Sequence, residues 1–135
     1  MAKYREKAIL LASYLPFIFI CTTIFILSNM SRPPIPETLS FTHSDKLLHF
    51  IAFFAVGIAS SFAVSAREKS ISLTIIIESF IMGALYAAFD EIHQAYVPQR
   101  DASFFDFLAD AMGVLTANIV YYKSYLKISS YLMNK

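Results

Sequence analysis

The chain has 135 residues and a formal net charge of +1, and 57% of its residues are hydrophobic whereas 16% are charged. One small soluble core cannot hide that much apolar surface, and the mean hydropathy of +0.57 indicates a lipid environment instead. The small net charge argues against a nucleic-acid partner, which would require a basic face. Because lipid offers backbone groups no water to bond with, we expect an all-α, polytopic membrane protein.

Four apolar segments are long enough to cross a bilayer, since a spanning helix needs about 20 mostly apolar residues. The predicted spans are residues 8–28, 46–66, 71–94 and 104–122. The first is longer than the apolar stretch of about 7–15 residues in a cleaved signal peptide, so we interpret it as a membrane helix. Pro16 is expected to kink it. Residues 1–135 are therefore predicted to form one four-helix transmembrane bundle.

Basic residues fall mostly on one side of these spans. Cytoplasmic segments normally retain an excess of Lys and Arg. Three of the 11 basic residues, Arg32, Lys46 and Arg100, lie near the loops after the first and third spans, and the other eight lie at the termini or after the second span. We therefore expect both termini in the cytoplasm and the loops 29–45 and 95–103 outside.

This topology brings many polar residues to one level, at the outer face of the membrane. Helical phase turns most of them inward, because a carboxylate facing lipid is costly. Asp110 lies a full turn inside the fourth span, beyond any helix cap, and needs a partner such as Arg100, Lys46 or a hydrogen-bonded His. The predicted cluster comprises Asp45, Lys46, His49, Asp90, Glu91, His93, Gln94, Arg100, Ser103, Asp106 and Asp110.

Ordinary helix-end chemistry is an alternative explanation for part of this cluster. Ser103 and Asp106 match a capping box, in which the carboxylate reaches back to the first residue, and residues 42–45 match one for the second span. Lys46 can snorkel to the interface, and the two histidines can be ordinary hydrogen-bonded helix residues. Glu78, deeper in the third span, would be protonated or paired across an oligomer contact.

The acidic residues also allow a metal site as an alternative. Asp106 and Asp110, at i and i+4, could hold a hard divalent cation together with Asp90 or Glu91. In a metal-dependent enzyme, Asp106, Asp110 and Asp90 would bind the cation, with Glu91 or His93 as general acid or base. The sequence contains no nucleophile elbow, glycine-rich phosphate loop or His-Glu-x-x-His zinc helix. We therefore predict no cofactor and keep the divalent metal as the alternative.

Spaced polar motifs extend over nearly the whole chain. They read Asp45-Lys46-x-x-His49-Phe50, Asp90-Glu91-Ile92-His93-Gln94, Pro98-x-Arg100 and Ser103-x-x-Asp106-x-x-x-Asp110-x-x-Gly113. This pattern resembles the VanZ-like family of small bacterial membrane proteins. The resemblance implies a helical bundle in the bacterial cytoplasmic membrane and, through the family's namesake, a link to teicoplanin resistance, but it implies no particular reaction. Relatives often carry Asn at Asp110, Gly at Gln99 and Tyr at Phe53, and the Asn favours hydrogen bonding over an essential charge.

Three functional hypotheses follow. The first is a non-enzymatic protein whose outward polar pocket binds a lipid-linked cell-wall intermediate, a lipid headgroup or a partner protein. Arg100 would bind phosphate or carboxylate, Glu91 would orient Arg100, and His93, Gln94 and Asp110 would shape the pocket. The second is a metal-dependent membrane enzyme acting on a phosphorylated or glycosylated lipid. A third, an oligomeric structural or transport subunit, is weakened because four short helices leave little room for two gates.

Overall fold

The computed structural model describes residues 1–31, 44–68 and 72–133, and the regular secondary structure within these ranges is entirely α-helical. The all-α class is thus confirmed for the described part. The first residues of the capping motif 42–45 and the start of the span predicted at residue 71 lie outside it. In chain order the helices are α1 (Ala2–Ser13), α2 (Leu15–Ser28), α3 (Ser44–Arg67), α4 (Thr74–Gln94) and α5 (Phe104–Met133).

Three helical segments are long and apolar enough to cross a membrane. They are Lys3–Ser28, Ser44–Arg67 and Phe104–Met133. Helix α4 is not among them, because any 18-residue stretch of it contains Glu78, Asp90 and Glu91. The chain is therefore a membrane protein with three candidate spans in its described part, and the fourth crossing through α4 stays a prediction.

Two helix boundaries differ from the sequence-based ones. The first span is divided at Tyr14 into α1 and α2, with Pro16 in the first turn of α2, where its missing N–H leaves no bond to lose. Helix α5 continues to Met133 rather than ending near Tyr122. The drop in hydropathy after Tyr122 marks where lipid contact is expected to end, but a helix can continue through lysines and tyrosines in water.

The bundle is built around α3 and α5, which form its most extensive helix pair, and α4 packs against both. Small residues allow this close approach. A β-carbon added at Gly57 would lie 2.7 Å from the Ala117 side chain and from the Val114 carbonyl, and one at Gly113 would overlap the Phe50 carbonyl oxygen. The pairing of α3 with α5 fixes the relative height of the polar residues on these two helices.

A second polar cluster, which the sequence analysis did not single out, lies deeper between α3, α4 and α5. Asn118 is fully buried, with its amide 3.0 Å from Ser61 Oγ. When its amide nitrogen faces α3, it donates to the Gly57 carbonyl at 2.9 Å, and its oxygen accepts from Ser79 Oγ at 3.1 Å. This arrangement satisfies the buried amide and ties the three helices together.

Glu78 has a partner within the chain. It forms an ion pair with Arg67 at the end of α3, and Arg67 also contacts Glu68 at 3.2 Å. Both groups of the Arg67–Glu78 pair are partly exposed at the edge of the bundle. An oligomer contact is therefore not needed to explain this carboxylate.

Candidate functional site

Three side chains from three different helices converge at the end of the bundle where α4 ends and α5 begins. His49 Nδ1 of α3 lies 3.0 Å from Asp110 Oδ1 of α5 and 3.8 Å from Glu91 Oε1 of α4. The Asp110 side chain is fully buried, and the other two are 9% and 16% exposed. Of the three partners considered for Asp110, the structure therefore selects the histidine. We refer to His49, Glu91 and Asp110 as the trio.

Two carboxylate oxygens of the trio have no hydrogen-bond partner among the described residues. They are Asp110 Oδ2 and Glu91 Oε1, and both atoms are buried. A buried acceptor without a partner costs about 1–3 kcal/mol, and more when the group is charged. One ligand atom from each member of the trio lies within 4.8 Å of the other two. The trio is therefore arranged to share a proton or a cation.

The second oxygen of Glu91 caps the start of α5. Glu91 Oε2 accepts a hydrogen bond of 2.8 Å from the backbone N–H of Ser103. In the predicted capping box that donor would bond to Asp106, but Asp106 instead accepts from Lys46 Nζ at 2.7 Å. The start of α5 is therefore capped by Glu91 of α4, since Asp106 is held toward α3 by Lys46.

A polar network that is separate from the trio and from the deep Asn118 cluster runs from α2 to the loop after α4. Asp90 accepts from Ser28 Oγ at 2.6 Å and from Gln94 Nε2 at 2.7 Å, so both of its oxygens are satisfied. Gln94 Oε1 in turn accepts from Arg100 Nη2 at 2.9 Å. The expectation that Glu91 orients Arg100 is therefore wrong, because Glu91 is engaged by Ser103 and Gln94 takes the guanidinium.

Arg100 is the exceptional member of this network. Within the described part of the chain it makes no ion pair with a carboxylate, and its Nε is buried without a hydrogen-bond partner. By contrast, Lys46 pairs with both Asp106 and Asp45, at 2.7 and 3.0 Å. Among the described residues, Arg100 is thus the cation of the cluster that has no carboxylate partner.

A pocket of about 270 Å³ lies beside these networks, between α2, α3 and α4. Its apolar part is formed by α2 and α3 and includes Ile24 and Phe53. Its polar lining consists of Ser28, Asp45, His49, Asp90, Gln94 and Arg100. Most polar residues lie toward the helix ends and loop, whereas Ile24, Ala52 and Phe53 lie about one to two turns deeper, with Leu27 and Leu48 at the level of the polar residues. The polar groups are therefore concentrated at one end of the pocket, its polar mouth.

The comparisons with known proteins assign a family. The model of the family described as VanZ/LLP1 matches residues 8–127, which include every residue of the trio and of the pocket. The chain belongs to the VanZ/LLP1 family. No curated protein and no solved structure matches it. The resemblance stated from the polar motifs is thereby confirmed, whereas the activity of this VanZ/LLP1 protein has to be argued from its own site.

The structure separates the predicted site residues of this VanZ/LLP1 protein into distinct groups. The predicted metal candidates are dispersed, since Asp106 pairs with Lys46 and Asp90 bonds to Ser28 and Gln94, which leaves Asp110 in the trio. His93 belongs to the interface of α2 with α4. Its ring lies 4.7 Å from that of Phe25, and its Nε2 lies 3.2 Å from Asn29 Oδ1.

Ser28 is the site residue that the sequence analysis missed. It resembles Thr22 and Thr23 in type and lies in the same helix, but their hydroxyls donate to carbonyls of their own helix, at 2.8 and 2.9 Å. Ser28 donates to Asp90 instead. No sequence feature distinguishes these hydroxyls, because the difference depends on which side of α2 faces α4.

Proposed function

We propose that this VanZ/LLP1 protein crosses the bacterial cytoplasmic membrane four times and binds, in its outward-facing pocket, an amphiphile with an anionic head group. Phosphate-bearing envelope lipids, including lipid-linked cell-wall intermediates, belong to this class. The observation that carries the proposal is Arg100, a pocket-lining guanidinium with a neutral partner and a buried, unpartnered Nε. A guanidinium binds phosphate or carboxylate through two parallel hydrogen bonds.

The acidic residues that line the pocket form no ion pair with Arg100. Asp90 uses both oxygens to accept hydrogen bonds from Ser28 and Gln94. Asp45 pairs with Lys46 at 3.0 Å. An incoming head group would therefore meet Arg100 without a competing carboxylate partner among the described residues.

The shape and size of the pocket also support an amphiphile. A volume of about 270 Å³ is close to the lower end of small-molecule sites. It suits a head group and the first part of an apolar chain, with the remainder of the chain in the bilayer. Ile24 and Phe53 would contact the apolar chain, while the polar mouth would contain the head group.

The test is lipid binding to the detergent-purified full chain, measured by native mass spectrometry. A polyprenyl phosphate and phosphatidylglycerol are the anionic probes, and phosphatidylcholine is the zwitterionic control. We expect Arg100→Ala to weaken binding of the anionic probes about tenfold or more, since a charge-assisted hydrogen bond contributes about 1.5–3 kcal/mol. Arg100→Lys should retain part of the affinity because it keeps the charge but loses the bidentate geometry.

Asp101→Ala is the matched control, because Asp101 is the exposed neighbour of Arg100 and makes no described contact with the pocket. It should bind the anionic probes as the wild type does. Equal binding of those probes by Arg100→Ala and the wild type would contradict the proposal. In cells, we propose teicoplanin susceptibility as the readout, with protection conferred by the wild type and Asp101→Ala and lost in Arg100→Ala.

A further inference from the structure

We infer that the trio of His49, Glu91 and Asp110 binds one divalent transition-metal cation, such as Zn²⁺ or Mn²⁺. This site differs from the sets suggested by the sequence, which combined Asp106 and Asp110 with Asp90 or Glu91 and contained no histidine ligand. It adjoins the proposed head-group site, because His49 lines that pocket, but Arg100 takes no part in it. Each ligand comes from a different helix, so a bound cation would join α3, α4 and α5.

The first argument is the pair of buried oxygens without partners. Asp110 Oδ2 and Glu91 Oε1 are inaccessible to solvent and accept no hydrogen bond from the described residues. The Asp110 side chain is fully buried. Buried charges in proteins are normally paired or bound to a metal. A cation bound by both carboxylates would provide the partner that the described residues do not.

The second argument is charge. The trio contains two carboxylates, and no described Lys or Arg forms an ion pair with either of them. Lys46 is engaged by Asp106 and Asp45, and Arg100 donates to Gln94. A divalent cation with a neutral imidazole would balance the two carboxylates within a low-dielectric bundle.

The third argument is distance. Bonds of about 2.0–2.2 Å from a tetrahedral metal to nitrogen and oxygen place neighbouring ligand atoms about 3.4 Å apart. The two distances from His49 Nδ1, 3.0 Å to Asp110 and 3.8 Å to Glu91, lie on either side of that value. Adjustments of a few tenths of an ångström would bring both to the bonding geometry. The three ligand atoms already lie within 4.8 Å of one another.

The donor set determines the class of metal. One imidazole nitrogen with two carboxylate oxygens suits Zn²⁺ or Mn²⁺, whereas Ca²⁺ takes six to eight oxygens and Mg²⁺ retains several waters. Three protein ligands leave a further position for water, as in catalytic rather than structural zinc sites. Glu91 is also held from outside the trio, because Ser103 N–H fixes its other oxygen at 2.8 Å.

The test uses the full chain, purified in detergent, stripped with a chelator and then supplied with Zn²⁺, Mn²⁺ or Co²⁺ alone. We expect about one equivalent of metal per chain after desalting, a higher melting temperature, and visible Co²⁺ absorption bands of an ordered protein site. His49→Ala, Glu91→Gln and Asp110→Asn should each weaken binding by more than the 10–100-fold that loss of an outer contact typically costs.

Asp106→Asn and Asp45→Asn are the matched controls, since both remove an acid from the same end of the bundle without touching the trio. They should bind metal as the wild type does. In Glu91→Gln the amide oxygen can still accept the hydrogen bond from Ser103 N–H, so this is the variant least expected to disturb folding. Less than one equivalent of bound metal in the wild type would overturn the inference. Equal losses of metal affinity in the control variants and the trio variants would overturn it as well. Either result would leave a shared proton as the occupant of the trio.

Discussion

Gln99 adopts a backbone conformation that few side chains tolerate. Its φ is 65°, and among the described non-glycine residues it is the one with a positive φ. The left-handed region is strained for most residues and natural for glycine. Gln99 precedes Arg100 directly, so its backbone determines how the guanidinium enters the pocket.

We predict that Gln99→Gly folds at least as well as the wild type, whereas Gln99→Val loses about 1–3 kcal/mol of unfolding free energy because a β-branched residue is strained at positive φ. Thermal denaturation of the purified protein measures both. Tyr96→Val, at an exposed position in the same loop, is the control and should change little. A Gln99→Val protein as stable as the wild type would show that this loop does not hold the left-handed conformation.

Sequence reasoning predicted the orientation of single residues but not their partners. Helical phase correctly placed Asp90, Gln94 and Asp110 on buried faces, because facing inward depends on one helix alone. It did not give the partners of Glu91 and Arg100. Those depend on the axial offset and rotation between helices, where a shift of a few ångströms exchanges one partner for another.

At the level of elements, the contact of α3 with α5 depends on glycine. Gly113 lies one turn below Asp110 and faces the backbone of α3, where an added β-carbon would meet the Phe50 carbonyl oxygen and lie 3.0 Å from the Phe54 nitrogen. These neighbours are backbone atoms, which cannot move aside as a side-chain end can. The approach that brings His49 to Asp110 therefore requires glycine at position 113.

We predict that Gly113→Ala lowers the unfolding free energy by about 1–3 kcal/mol, as overpacking of a well-filled interface does, and separates His49 from Asp110. Thermal denaturation reports the first effect, and metal affinity of the purified variant reports the second. Thr116→Ala, on the exposed side of α5, is the control. The account of the close contact fails if Gly113→Ala matches Thr116→Ala in stability.

The membrane topology of the whole molecule depends on whether α4 crosses the membrane. Two of the acids of α4, Asp90 and Glu91, are buried inside the bundle, and Glu78 pairs with Arg67 at the edge of the bundle. An acid-rich helix can therefore lie in lipid while its other faces contact the acyl chains. Four crossings place both termini on one side, whereas three crossings place them on opposite sides.

We predict that a membrane-impermeant maleimide added to intact cells labels Asp101→Cys but neither Glu6→Cys nor Lys127→Cys, each in a Cys21→Ser background. All three substituted positions are exposed. Permeabilised cells are the control and should show labelling at every position. Labelling of Glu6→Cys and Lys127→Cys from opposite sides would contradict the four-span topology.

The sequence predicted the helical class and the positions of three candidate spans, because both follow from hydropathy and periodicity along one chain. It did not predict the deep contact of Asn118 with Ser61, since a single Asn and a single Ser in apolar helices carry no pattern. Nor did it predict the trio. Three helices had to be docked before His49, rather than Arg100 or Lys46, could be assigned to Asp110.

The partners of the α4 acids have a consequence for biogenesis. Glu78 pairs with Arg67, Asp90 accepts from Ser28, and Glu91 lies 3.8 Å from His49. Each of these partners precedes α4 in the chain and is therefore synthesised before it. In the four-span topology, the helix with three acidic residues would leave the translocon only after its polar partners are already in the bilayer, so its insertion would be assisted by helices made earlier.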